Sequence, residues 1–181
     1  SVYVRGVLYK GEAWTDATGM SGYDTSESFD EESWNGWELQ YPDDYPCYDA
    51  WKPLMNLIDF CNTRNAFFKL HYRQHFYFDN LVDYAIFIMG LNIIDNNVKN
   101  THFSCPDINV NETFLITPWD LDCSLGGLYE GSHFDEYVKI TNLTGNYLFY
   151  QMYMYNVDNF RESMKERWQE LSLGIMSPNS F

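Results

Sequence analysis

The chain has 181 residues, with 26 Asp and Glu against 11 Lys and Arg, a net charge of −15 at neutral pH, 45% apolar residues and 19% aromatics. It is too apolar and aromatic for a disordered acidic tail, and its length suits one domain over residues 1–181 with a sizeable core. So acidic a balance excludes nucleic acid or an anionic membrane as the main partner, and no apolar run reaches the roughly 18 residues of a spanning helix.

The first residues, Ser-Val-Tyr-Val-Arg-Gly, carry neither an initiator Met nor a signal peptide, and Val2 to Tyr9 reads as a strand. The chain is therefore expected to be cut from something longer. Residues 11–34, rich in Gly, Ser, Thr, Asp and Glu, read as a long solvated loop. Trp37 to Tyr41 alternates and stops at Pro42, which predicts a short strand followed by a turn over Asp43 to Pro46. Trp51, Leu54, Leu57, Ile58 and Cys61 then fall on one face of a helix. Phe67 to Gln74 suggests a shorter one.

Asp79 stands where an N-cap belongs, and the apolar pattern from Leu81 to Ile94 predicts a central buried helix. The run Asp95-Asn96-Asn97-Val98-Lys99-Asn100 is too rich in Asn to continue it. Thr101 to Cys105 and Thr113 to Thr117 look like a hairpin around a loop at Pro106 to Asn111, and Pro118-Trp119-Asp120-Leu121-Asp122 closes it. Gly126-Gly127 marks a further loop. The remainder is helical: an apolar stretch from Tyr147 to Tyr155, then a helix capped by Asn156 or Asp158. Its stripe is Phe160, Met164, Trp168 and Leu171, and Gly174 and Pro178 end it. The fold class is α+β and mostly helical.

Cys47, Cys61, Cys105 and Cys123 lack the close spacing of zinc ribbons or redox dithiols, which leaves two disulfides or buried free thiols. Sequons at Asn111 and Asn142 matter only in a secreted eukaryotic protein. His71 and His75 share the spacing of a zinc-hydrolase pair, but the Glu that should follow the first is Tyr72. His102 and His133 stand alone. Ser124 is in no nucleophile elbow, Asp79 and Asp83 are explained by capping and solvated surface, and Lys10 is as easily solvated as phosphate-bound.

The chemistry-bearing feature is the group Asp95, Asn100 and Asp120, with Asp122, around the hairpin. Asp95 and Asn100 have the Asp-x-x-x-x-Asn interval of a protein-kinase catalytic loop. There the Asp accepts the substrate hydroxyl proton and the Asn binds a metal, while an Asp after the next hairpin chelates the ion that bridges the phosphates. Mg²⁺ favours hard oxygen ligands, and an Asn carbonyl with an Asp carboxylate supplies them. Lys99 is a candidate phosphate contact. Capping by Asp95 and Asn96, with Asp120 and Asp122 in a solvated turn, accounts for the same residues, and spacing alone does not choose.

The chain resembles the spore-coat protein H (CotH) kinase family, a group of atypical kinase-like proteins. The likeness runs over Gly6 to Gly11, Glu38 to Asp43, Trp51 to Phe60, Phe78 to Tyr84, Asp95 to Asn100, Thr117 to Gly126 and Lys165 to Trp168. Its most specific parts are Asp-Asn-x-x-Lys-Asn and Pro-Trp-Asp-x-Asp. The resemblance implies a protein-kinase-like C-lobe with a catalytic-loop β-hairpin and transfer of phosphate from ATP, with Mg²⁺ or Mn²⁺, to Ser or Thr of a protein substrate. Asp95 would be catalytic, Lys99 would bind the nucleotide, and Asn100, Asp120 and Asp122 would hold metal. It also implies secretion or display on a cell or spore surface. The ATP-covering lobe should precede Tyr9, yet only eight residues do, and no Gly-rich loop or Val-Ala-x-Lys strand occurs. With the N-lobe largely absent, the kinase role is expected of the parent protein and little activity of this chain alone. The rival expectations are a catalytically silent binding or adhesion module that uses the aromatics, and a metal-dependent phosphohydrolase.

Overall fold

The structure, a computed structural model, describes residues 4–43, 46–127, 130–132 and 140–174, without the side chain of Thr141. Val2, His133, Pro178 and part of the predicted turn before Pro46 lie outside the described residues.

Alternating apolar residues form the strands β1 (Val7–Gly11), β2 (Ser33–Trp34), β3 (Trp37–Tyr41), β4 (Thr101–Cys105) and β5 (Leu115–Pro118). They make one antiparallel sheet in the order β2-β3-β1-β4-β5. The period of two turns Val7, Tyr9, Trp37, Leu39, Phe103, Cys105 and Ile116 into the core. Lys10, Glu38 and His102 are cross-strand neighbours on the other face. The predicted hairpin is present, but β4 also pairs with β1 along its length, from Val7 opposite Cys105 to Gly11 opposite Thr101. Its inner strand is therefore central.

Helix α1 (Tyr48–Cys61) lays the predicted stripe across the inner face. Tyr9 donates from its hydroxyl to Ala50 O at 2.5 Å, and Trp51 stacks near Tyr9 and Trp34 with ring centroids 5.7 Å from each. A short α2 (Asn65–His71) runs into a 3₁₀ turn at Tyr72–Gln74.

The central helix α3 (Phe78–Gly90) buries Leu81, Val82, Tyr84, Ala85, Ile86 and Ile88. Its ends differ from expectation. Tyr77 holds the N-cap position, and Asp79 sits inside the first turn, where its charge faces the positive end of the helix dipole. The helix stops at Gly90 rather than Ile94, because Asn92 turns left-handed at φ 54°. Ile93 N–H then returns to Ile88 O and Asn92 N–H to Met89 O, a Schellman closure.

The C-terminal helices are α4 (Ile140–Leu143), α5 (Tyr147–Met154) and α6 (Phe160–Leu173). Asn146 caps α5 by accepting from Leu148 N–H at 3.1 Å. Asn156 accepts from Arg161 N–H at 3.0 Å and so secures the start of α6, while Asp158 bonds Tyr72 and Arg73 instead. The α6 stripe meets α3 where Gly90 has no side chain, and a Cβ there would stand 3.0 Å from the Trp168 ring.

Residues 12–32 are irregular, but Ala17, Thr18 and Met20 are buried. The Thr18 hydroxyl donates to Ala13 O, the Asn62 amide to Met20 O and Tyr147 N–H to Gly19 O. Hydroxyl and amide bonds thus let a polar segment pack between α1 and α5. All four cysteines are free thiols, with Cys61 and Cys105 buried.

Candidate functional site: the loop after the central helix

Beyond the Schellman closure, Ile93 plugs the core and the chain makes a single 3₁₀ turn at Asp95–Asn97. Asp95 therefore does not cap the central helix, which has ended at Gly90. Its carbonyl accepts from Val98 and Lys99 N–H. Asn100, left-handed at φ 54°, bends the loop into β4 and donates its N–H to Gly11 O at 2.7 Å. Gly11 allows this approach, since a Cβ there would meet Val98 O at 3.1 Å. Asn96 and Asn97, expected in a polar loop, are only 0% and 4% exposed.

The second segment joins at Trp119, whose N–H donates to Asn100 O at 2.9 Å. The next residue, Asp120, is left-handed at φ 52° and points an exposed side chain outward. Leu125 N–H donates to Leu91 O at 2.5 Å and ties the following loop back to the end of α3. Asp95 is half-buried, its carboxylate 3.0 Å from the Lys99 ammonium. That ion pair is where the structure puts the predicted nucleotide-binding lysine. Asp122 is exposed and neighbours the Cys123 thiol, whose pKa is pushed up first by burial, then by Asp122 and by the charge of Asp95, with Lys99 opposing. The structure thus brings Asn100 beside Trp119-Asp120, and leaves the Cys123 thiol within electrostatic reach of the Asp95–Lys99 pair.

Sequence reasoning missed Asn96. Its Nδ2 donates to Asn100 O at 2.5 Å and to Trp119 O at 2.7 Å, while the Tyr84 hydroxyl donates to Asn96 O at 2.6 Å. Asn97 donates to Asn142 O, and Asn146 donates to Asn97 O at 3.0 Å. Nothing in the composition of a polar run marks which amide turns inward.

The family described as CotH kinase protein matches this chain over residues 4–181, nearly its whole length. The chain belongs to the CotH kinase protein family. No curated protein matches it significantly. Membership in the CotH kinase family points to a kinase-like function, and hence in general to ATP, a divalent metal and a protein substrate. Among the described residues no group of three or more His, Cys, Asp or Glu side chains is disposed to hold a metal ion. A kinase-type site has a different donor set, with one or two carboxylates, an amide and the phosphates of the substrate itself. Asn100 and Asp120 fit that set. Among the described residues no helix is long and apolar enough to cross a membrane.

The other candidates of this CotH kinase chain are engaged elsewhere. Lys10 bonds Glu12 at 2.9 Å and Glu38 at 3.3 Å, and Asp83 pairs with Arg167 at 2.8 Å. His102 packs on Trp119 with centroids 5.4 Å apart. His71 lies against Phe67 and His75 against Phe60, at 4.4 and 4.0 Å, which is packing rather than a metal pair. Burial, then the neighbouring His71, lowers the His75 pKa. The unfolded chain therefore binds the proton more readily, and this contribution to stability falls as pH drops through the unfolded value of about 6.5. A His75→Phe variant keeps the stack and should lose less Tm than the parent between about pH 7 and 5. Parallel melting curves across that range would contradict the assignment.

Proposed function

We propose that the chain is the catalytic lobe of an atypical protein kinase that moves the γ-phosphoryl group of ATP to a Ser or Thr hydroxyl of a protein, with Mg²⁺ or Mn²⁺ as the metal. One observation carries the reading: Trp119 N–H bonds Asn100 O at 2.9 Å. The amide and the carboxylate suited to the metal thus stand on directly bonded backbone segments, the amide on the loop that begins with Asp95 and the carboxylate on the exit from β5. In this reading Asp95 accepts the acceptor's hydroxyl proton and aligns its oxygen for in-line attack. Lys99 holds that carboxylate and offers its ammonium to a phosphate oxygen. Asn100 and Asp120 hold the metal, and Asp122 supports it from the same loop. A divalent ion there supplies positive charge to the phosphate oxygens as charge shifts during transfer. Family membership supports the chemistry, and surface display belongs to the same proposal.

The test is incubation of the longest natural polypeptide containing these residues with γ-labelled ATP, Mg²⁺ and a basic acceptor protein. The expected result is label on phosphoserine or phosphothreonine of the acceptor. Label found only in inorganic phosphate would favour water as the nucleophile, and intact ATP throughout would overturn both catalytic readings.

A further inference from the structure

The carboxylate and the amide proposed to bind metal are separated by a whole hairpin in sequence, so something must fix them against one another. The sheet does part of this, since β4 and β5 pair from Thr101 opposite Pro118 to Ser104 opposite Leu115. Beyond the ladder the two segments leave it, and both Asn100 and Asp120 take left-handed backbone conformations. Regular pairing cannot continue through such residues, and this is where a side chain takes over.

We infer that Asn96 is a positioning residue that clamps the two metal-bearing segments together through its side-chain amide, an inference that rests on the kinase reading for its purpose. Both Nδ2 protons are used, one on Asn100 O at 2.5 Å and one on Trp119 O at 2.7 Å. The reversed amide would set its oxygen against both carbonyls, so the network itself fixes which end faces the loop. Asn100 O is thus a shared acceptor, taking the Trp119 N–H as well as the clamp. The base of the clamp is anchored in the core. Asn96 is fully buried, and its own carbonyl accepts the Tyr84 hydroxyl from the middle of α3 at 2.6 Å. The next residue is held by Asn146 at the α5 cap. The chain from α3 through Asn96 to Asn100 and Trp119 therefore links the core of the protein to the backbone of both candidate ligands. The Asn96 Oδ1 is buried with no hydrogen-bond partner among the described residues.

Aspartate has nearly the same shape but would aim an oxygen where the two donors now point, and alanine removes the clamp without repulsion. Tyr84→Phe is the control, since it loosens the base of the clamp while leaving both amide protons in place. Two measurements test the inference. In the unmutated protein, NMR should detect scalar couplings across hydrogen bonds from Asn96 Nδ2 to the carbonyl carbons of Asn100 and Trp119, and slow exchange of the two amide protons. Absent couplings with freely exchanging protons would overturn it without any variant having to fold. Mn²⁺ affinity in the presence of ATP should then fall at least about tenfold, roughly 1.4 kcal/mol, in Asn96→Ala and further in Asn96→Asp, while Tyr84→Phe with a matching loss of Tm keeps most of it. Equal losses in Tyr84→Phe and Asn96→Ala would reduce Asn96 to a general structural role. A parent protein that shows the couplings but binds no Mn²⁺ with ATP would instead sink the kinase reading and leave the clamp standing.

Discussion

Changing Asp120 to Asn should lower phosphotransfer by about 10²- to 10³-fold, the scale of losing one preorganised electrostatic contact to developing charge. Asparagine is the informative choice because the residue is left-handed at φ 52°. Asn tolerates that region, whereas Ala adds roughly 1–2 kcal/mol of backbone strain and would blur the result. The carboxylate is exposed, and among the described residues no hydrogen bond or ion pair engages it, so stability should stay within about 0.5 kcal/mol of the parent. Initial rates with labelled ATP and a thermal melt on the same samples make the comparison. The Asp122→Asn variant should lose less, because Asp122 lies further along the chain from the Trp119–Asn100 bond than Asp120 does. An Asp120→Asn protein with a normal rate, or an Asp122→Asn protein crippled in its place, would move the metal to another carboxylate.

The largest expected effect on stability is at Trp51. Its ring is fully buried between Tyr9 of β1 and Trp34 of β2, and its Nε1–H donates to Glu31 O at 3.3 Å. One side chain thereby joins α1, the sheet and the irregular segment before β2. Trp51→Ala leaves a cavity whose walls belong to three separate pieces, which limits how far it can collapse, and the cost should be about 3–5 kcal/mol. Against the roughly 5–15 kcal/mol of a typical domain this is a large share, and Tm should fall on the order of 10 °C. Denaturant titration should show a lower midpoint with an unchanged slope. A loss below about 1.5 kcal/mol would mean that the neighbouring rings close over the gap.

The central helix and the loop after it mark the boundary of what could be read in advance. The stripes of α1 and α3 were legible because burial of a helix face repeats every three to four residues, and the strands because burial alternates. In the α6 stripe, by contrast, only Phe160 is buried and Trp168 stays exposed. The end of α3 was not: Ile93 and Ile94 continue the apolar pattern, and only the left-handed Asn92 turns them off the helix. Likewise Asp79 looked like a cap, but the backbone enters one turn earlier. The polar run at residues 12–32 read as solvated, and its burial depends on hydroxyl and amide bonds to α1 and α5 that composition does not encode.

At the candidate site the same division holds. Residue types and the interval from Asp95 to Asn100 lie along one stretch of chain, so the sequence alone nominated both, together with Asp120 at the hairpin exit. Three things were decided by tertiary structure: that Trp119 bonds Asn100, that Lys99 is occupied by Asp95 while Lys10 is held by Glu38 and Glu12, and that Asn96 rather than its neighbours clamps the segments. The reason is physical. Periodicity and turn chemistry act between residues a few positions apart, whereas these contacts join segments brought together only when the strands pair and the helices bury their faces.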